Sequence, residues 1–332
     1  MTKLRSPNTP QYFIQRALIY TREMFPILIY LPYVVSLYFC VNVVVQIINT
    51  PIFKASKNGV SEAIFQAGSQ VVIDSTAIIG VVSAFFFMLL MRTFDDLKDF
   101  ELDAKLFPHR ATARKDVLKK DIQLISISSF IILLTVNLIW GQAIILVFAL
   151  TITYAVLTFK WFFAEKFHRE HIFITMLDHQ PLPYVINFYL LHTALATGNE
   201  YESFEWFHLY LLLIVSIPIT AWEISRKIRS ADMETEYETF SLVIGRKTAT
   251  IIPLILFMTV AVLHVHIGKT LHFSPVFFYL VLAVSLIVLF FYLRFLIKPK
   301  KEYNVLTNTA LFATSFYFIN LLINTMVHYQ VV

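Results

Sequence analysis

Nine stretches of this chain are apolar for about the length that crosses a lipid bilayer, and this repetition constrains the fold more than any motif. They run approximately over 24–48, 71–91, 121–139, 143–162, 181–197, 206–223, 249–267, 275–297 and 306–327. A helix needs ~20 apolar residues to cross the hydrocarbon core. In lipid every backbone N–H and C=O must be satisfied within the protein, and segments this long meet that demand as helices. The sequence therefore predicts an all-α fold, a polytopic membrane helical bundle of about nine transmembrane helices, forming a single domain over residues 1–332. Composition agrees, with 58% of residues hydrophobic and 15% charged, against the ~25% charged residues of a soluble domain. The stretch 181–197 is the weakest of the nine, being short and carrying Asn187 and His192.

Lysine and arginine supply an independent test. With the N-terminus in the cytoplasm, 24 of the 27 fall on cytoplasmic segments, and only Lys54, Lys57 and Lys269 fall on the other side. Cytoplasmic loops of membrane proteins carry this kind of excess. The net charge of +5 is thus a topology signal, and no nucleic-acid partner is expected. Residues 1–23 are polar or amphipathic and read as a cytoplasmic lead-in lying on the bilayer, not as a cleavable signal. Cys40 is the one cysteine, so an internal disulfide is excluded.

Two cytoplasmic loops are richer in acids than topology requires. The first reads Arg92-Thr-Phe-Asp95-Asp96-Leu-Lys-Asp99-Phe-Glu101-Leu-Asp103. If the second span continues as a helix, Asp96, Asp99 and Asp103 line one face, and Asp95 lies one turn before Asp99. Carboxylates on one stripe repel each other unless a cation sits among them. Mg²⁺ suits the pattern, since it takes one or two carboxylates together with substrate phosphate oxygens and water. Arg110 and Arg114, one turn apart, are placed to grip a phosphate. The plainer reading is a solvated loop with local pairs such as Arg92 with Asp96.

The second loop begins at Glu223, near the end of the sixth span, where an unpaired charge is costly. Arg226, Lys227 and Arg229 follow, then Asp232, Glu234, Glu236 and Glu238. Glu223 and Asp232 are candidate metal ligands, and Arg226 and Lys227 candidate diphosphate contacts, although either cation also suits an ordinary pair with Glu223. Together the loops describe a site for an isoprenoid diphosphate. Metal and cations would neutralise the leaving group, the span interior would hold the tail, and aromatic faces would stabilise an allylic cation.

These segments resemble the UbiA superfamily of intramembrane prenyltransferases, with an aspartate-rich motif after span two and an acidic motif after span six. The family's first motif, Asn-Asp-x-x-Asp-x-x-x-Asp, is similar to Asp95-Asp96-Leu-Lys-Asp99-Phe-Glu-Leu-Asp103, with Asp95 in place of Asn. Its arginine pair is similar to Arg110 and Arg114, with Lys115 where proline is usual and a slightly longer gap. The second motif departs, since Glu223, Arg226-Lys227-Ile-Arg229 and the acids from Asp232 replace aspartates spaced by three. The resemblance implies Mg²⁺-dependent transfer from a prenyl diphosphate to a lipophilic or aromatic acceptor within the lipid bilayer. Asp96, Asp99, Asp103 and Glu223 would then be catalytic.

Between spans four and five lie His168, His171, Asp178 and His179. The two histidines spaced by three lack a third zinc ligand. Asp178 and His179, just before Pro181, and Asn187 beyond it, are placed to line an acceptor pocket and take a proton there. Asp74, near the outer end of span two, reads as structural. Two other functions stay open. A membrane terpene cyclase would use the same ionisation with the chain closing on itself, and a transporter would mark its path with intramembrane charges.

Overall fold

The computed structural model describes residues 12–51, 53, 67–198, 202–235 and 239–331. Among these the chain is helical and without strands. A lead-in, α1 (Phe13–Ile19) continued by a π-turn (Tyr20–Met24), precedes the long helix α2 (Ile27–Asn49). The aspartate motif joins α3 (Ser75–Lys98) to the short α4 (Phe100–Leu106), and α5 (Lys119–Trp140) and α6 (Ile145–Phe159) follow. Two short helices, α7 (Glu165–Glu170) and α8 (Ile172–His179), lead to α9 (Leu182–Leu195) and α10 (Trp206–Ser225). The one-turn α11 (Phe240–Val243) precedes α12 (Arg246–Thr270), α13 (Pro275–Ile297) and α14 (Leu306–Tyr329).

Eight of these helices are long and apolar enough to cross a membrane. The ninth expected span, 181–197, is represented by α9, which has only 14 residues. At ~1.5 Å per residue it covers ~21 Å, less than the ~30 Å hydrocarbon core. Pro181, which has no N–H to give, separates it from α8. The residues Tyr189 to Leu195 are all buried, and α9 packs against α2, α3, α6 and α10. A short helix is tolerated here because its neighbours, not lipid, surround it.

Large apolar side chains cover the outside, among them Ile127, Ile131, Leu146, Leu150, Leu282 and Phe290, all exposed. A soluble monomer rarely shows so much contiguous apolar surface, whereas acyl chains would cover it. Inside, polar side chains bridge helices: Asn42 Nδ2 donates to Thr197 Oγ1 (3.0 Å), Tyr189 OH to Asn137 Oδ1 (2.7 Å), and Asn137 Nδ2 to Ser83 Oγ (3.1 Å). Such bonds hold membrane helices together, each worth ~1 kcal/mol. Helices α2 and α3 touch at Gly80, where a Cβ would come within 2.1 Å of the Tyr38 ring.

One end of the bundle gathers the C-terminal ends of α3, α6 and α10. Lys98 Nζ donates to Thr158 O at 2.6 Å, and Arg226 lies 3.6 Å from Asp95. At the opposite end Asp74 caps α3, its Oδ1 accepting from Ala77 N at 2.9 Å and its Oδ2 from Gly198 N at 3.0 Å. That is a structural role, as its position suggests.

Candidate active site

The uninterrupted helix expected through the aspartates bends at Asp99, where φ is −95° and ψ 9°. The backbone bonding nevertheless continues, Asp99 N to Asp95 O (3.0 Å) and Asp103 N to Asp99 O (2.7 Å). The four aspartates therefore stay on successive turns while the bend re-aims Asp103. Asp96 is buried and held on both oxygens, by Tyr20 OH at 2.8 Å and Arg92 Nη2 at 2.9 Å. Asp103 is also buried and pairs with Arg110, whose guanidinium lies 4.3 Å from the Phe107 ring centre. Asp99 sits between, half-buried. Burial first, then the charges of Asp95 and Asp103, push its carboxyl above the ordinary range. Lys227 and Lys98 offset part of this repulsion, and a bound cation would relieve more of it.

The second segment faces the first. Arg226 Nη2 is 2.6 Å from Glu223 Oε2 and 3.6 Å from Asp95 Oδ2, so it bridges α10 to α3. Lys227 is held below its ordinary value by burial and then by Arg226, while Glu223, Asp95 and Asp99 oppose that shift. Three buried donors nearby, Arg92 Nε, Tyr33 OH and Trp222 Nε1, have no hydrogen-bond partner among the described residues. The Tyr33 and Trp222 rings are 6.3 Å apart. Buried donors are normally paired, so this trio suits an anionic ligand.

Other expected residues lie elsewhere. Arg114 does not join Arg110 at the aspartates; it pairs with Glu23 and Asp116, both at 2.7 Å, and donates to His109 O. The intervening turns direct it to the lead-in. Asp232 is exposed in the turn Ala231–Met233, and no hydrogen bond or ion pair among the described residues joins it to the first motif. Glu234 accepts from Thr239 Oγ1 (2.8 Å) and Ser241 Oγ (2.6 Å), closing its own loop. Glu236 and Glu238 lie outside the described residues. Asn187 is buried within the bundle, its Nδ2 donating to Ser216 Oγ at 3.0 Å.

Asp178 and His179 do come together with each other, with His168 from the same loop, and with Lys98, which the sequence places in the aspartate motif. His179 Nδ1 lies 2.6 Å from Asp178 Oδ1, His168 Nε2 lies 2.6 Å from Asp178 Oδ2, and Lys98 Nζ lies 3.1 Å from His179 Nε2. His168 and His171 bond separately to Ala164 O and Phe167 O, so they form no zinc pair. Tyr20 was missed, although it lies one turn beyond the buried Arg16, and Lys98 stands inside the aspartate motif itself.

Among the described residues no three His, Cys, Asp or Glu side chains converge on one point. The donor set instead fits a hard cation that takes most of its ligands from phosphate and water, as Mg²⁺ does. Within the first motif, Asp95 lies 3.6 Å from Arg226, and Asp95 and Asp99 both act on the charge of Lys227.

A helical bundle with an apolar outer surface and two charged segments facing each other at one end has the build of an integral membrane protein. The chain matches the UbiA prenyltransferase family over residues 60–320 and belongs to that family. Two solved structures share the fold. One, from work on digeranylgeranylglyceryl phosphate synthase, is 13% identical, with 94% of this chain and 99% of that one covered and a TM-score of 0.58. The other, the apo structure of a UbiA homolog from Aeropyrum pernix K1, is 12% identical, with 88% and 97% covered and a TM-score of 0.59. No curated protein sequence matches the chain. Family membership supports membrane prenyltransferase activity.

Proposed function

We propose that this protein transfers a prenyl group from an isoprenoid diphosphate to a lipophilic or aromatic acceptor within the membrane, with Mg²⁺ as cofactor. The observation that carries the reading is Arg226 joining Glu223 to Asp95 beside three buried, unpartnered donors. Asp95, Asp96, Asp99 and Asp103, with Glu223 opposite, would hold the Mg²⁺–diphosphate; when bound, the metal neutralises charge on the departing diphosphate. Arg226, Lys227 and Arg110 supply cations to the phosphate oxygens, and Arg92 Nε and Trp222 Nε1 supply N–H donors. The C1–O bond of the prenyl diphosphate breaks with its electron pair leaving on oxygen. The faces of Tyr33 and Trp222 then stabilise the allylic cation. Charge asymmetry between the loops supports a cytoplasmic N-terminus and a cytoplasmic site.

The test uses purified protein in detergent with farnesyl and geranylgeranyl diphosphate and Mg²⁺, with and without a hydroxybenzoate or a glycerol phosphate. Diphosphate release that rises with acceptor, and a product containing both parts, is the expected result. Cyclic hydrocarbon formed at a rate no acceptor changes would replace transfer with cyclisation.

A further inference from the structure

Behind the aspartates, α6, α7 and α8 build a second cluster of titratable groups. His168 Nδ1 lies 2.9 Å from Ala164 O, which can only accept, so Nδ1 carries hydrogen. Its Nε2 lies 2.6 Å from Asp178 Oδ2, which ties the ring to one oxygen of that carboxylate. The other oxygen of Asp178 accepts from His179 Nδ1 at 2.6 Å, and Tyr154 OH anchors Asp178 O at 2.6 Å. With hydrogen on Nδ1, His179 Nε2 is left to accept from Lys98 Nζ at 3.1 Å; the Thr158 carbonyl, 3.2 Å from the same nitrogen, is itself taken by Lys98 Nζ at 2.6 Å. His168 is buried, whereas the Asp178 and His179 side chains are 25% and 26% exposed. The chain of groups thus runs from a closed end to an open one.

The local backbone is bent to make this arrangement. Trp161, Phe162 and Phe163 all have left-handed φ, at 52°, 49° and 60°, a strained conformation for non-glycine residues that persists only where surroundings impose it. The turn lays Phe162 parallel to His168 at 5.8 Å and sets Trp161 edge-on to His179 at 5.9 Å. Lys98 Nζ lies 4.5 Å from the Trp161 ring centre. Lys98 stands between Asp96 and Asp99 in sequence, so the open end of the chain abuts the diphosphate site.

We propose that His179 is the base that takes the acceptor's proton, with Asp178 and His168 as positioning residues behind it; this rests on the transfer reading above. Once the C1–O bond has broken, the acceptor O–H displaces Lys98 from His179 Nε2 and gives that nitrogen its proton as the acceptor oxygen bonds to C1 of the allylic cation. The Asp178 carboxylate, accepting from Nδ1 at 2.6 Å, stabilises the imidazolium that forms. Burial and the adjacent Lys98 ammonium hold His179 below its ordinary value, against the opposing pull of Asp178, so the ring is neutral at pH 7. The titratable groups facing it are Lys98 from α3, Asp178 from α8 and His168 from α7.

The experiment compares wild type, His179→Gln, His179→Ala and Asp178→Asn in prenyl transfer to phenolic and alcoholic acceptors, with Mg²⁺ present. Binding of geranylgeranyl diphosphate by each variant reports an intact fold and diphosphate site. His179→Gln is expected to lower kcat ~10²- to 10⁴-fold with diphosphate affinity unchanged. Added imidazole is expected to restore part of the His179→Ala rate, which a merely structural histidine would not allow. Asp178→Asn is expected to shift the acid limb of the pH profile, because it changes the partner of Nδ1. Wild-type transfer equalled by His179→Gln overturns the base alone. Wild type that transfers to no acceptor overturns the functional reading and the base together.

Discussion

Tyr20→Phe isolates one bond at the first aspartate motif. Tyr20 is fully buried beside Met24, Phe25, Val117 and Ile122, and its hydroxyl donates to Asp96 Oδ2 at 2.8 Å. Phenylalanine keeps the ring and its packing, so the change removes little apart from the bond. A hydrogen bond to a charged group contributes ~1.5–3 kcal/mol, which corresponds to roughly 10- to 150-fold in an equilibrium constant at ~1.4 kcal/mol per decade. Removing an outer partner of a metal ligand lowers metal affinity by about 10- to 100-fold. Arg92 remains on the other oxygen of Asp96 at 2.9 Å, so the lower end applies. The assay is the Mg²⁺ concentration at half-maximal prenyl transfer, with the melting temperature in detergent as the fold control. That concentration is expected to rise about 10-fold, with kcat at saturating Mg²⁺ far less affected. An unchanged Mg²⁺ requirement in a protein that melts normally would refute the claim that Tyr20 orients a metal ligand.

Four further outcomes test separate parts of the account. Asp99→Asn is expected to abolish turnover yet raise the melting temperature in Mg²⁺-free buffer at neutral pH. The folded-state value of Asp99 is raised by burial and like charges, so its contribution to stability is full below the ordinary carboxylate range and lost as pH rises through the raised value. A lower melting temperature would contradict that sign. Glu223→Gln should reduce kcat/KM more than Glu238→Gln, because Glu223 holds the Arg226 that reaches Asp95; the opposite order would displace the second charged segment. Arg16→Ala leaves Asp121 buried without its partner at 2.7 Å, a loss of ~3–5 kcal/mol, and should free the lead-in for proteolysis, whereas Arg16→Met with Asp121→Leu should recover most of the stability. Cysteines placed at Lys105 and Asp232 should label from the same, cytoplasmic side, against a background of one buried Cys40; labelling from opposite faces would break the topology.

The sequence carried the fold class because a bilayer demands long apolar helices, and eight long spans match that demand. The ninth was harder to judge because α9 is short and inner, and apolarity cannot distinguish a helix shielded by neighbours from one facing lipid. The aspartate motif was legible for a related reason, since carboxylates at helical spacing repel and so announce a cation. What spacing could not reveal was which partner each charge takes. Arg110 and Arg114 look equivalent along the chain, yet one turns back to Asp103 and the other goes to Glu23.

Tyr20 and His168 join the candidate site and the histidine cluster through contacts 76 and 10 residues away, distances at which periodicity says nothing. The second acidic segment divides in the same way. Glu223 and Asp232 are separated by nine positions and look like one cluster, but the helix end keeps Glu223 beside Arg226 while the loop carries Asp232 to the surface. Charge near a span end thus pointed to the candidate site, and the further residues that contact it emerged only from packing. This explains why Lys98, inside the most legible motif of the chain, serves the histidine cluster: its side chain leaves the aspartate face and reaches Thr158 and His179 on neighbouring helices. On the proposed transfer, a group at that junction would couple leaving-group charge on one side to proton transfer on the other, which a prenyl transfer needs if both events are to occur around one carbon.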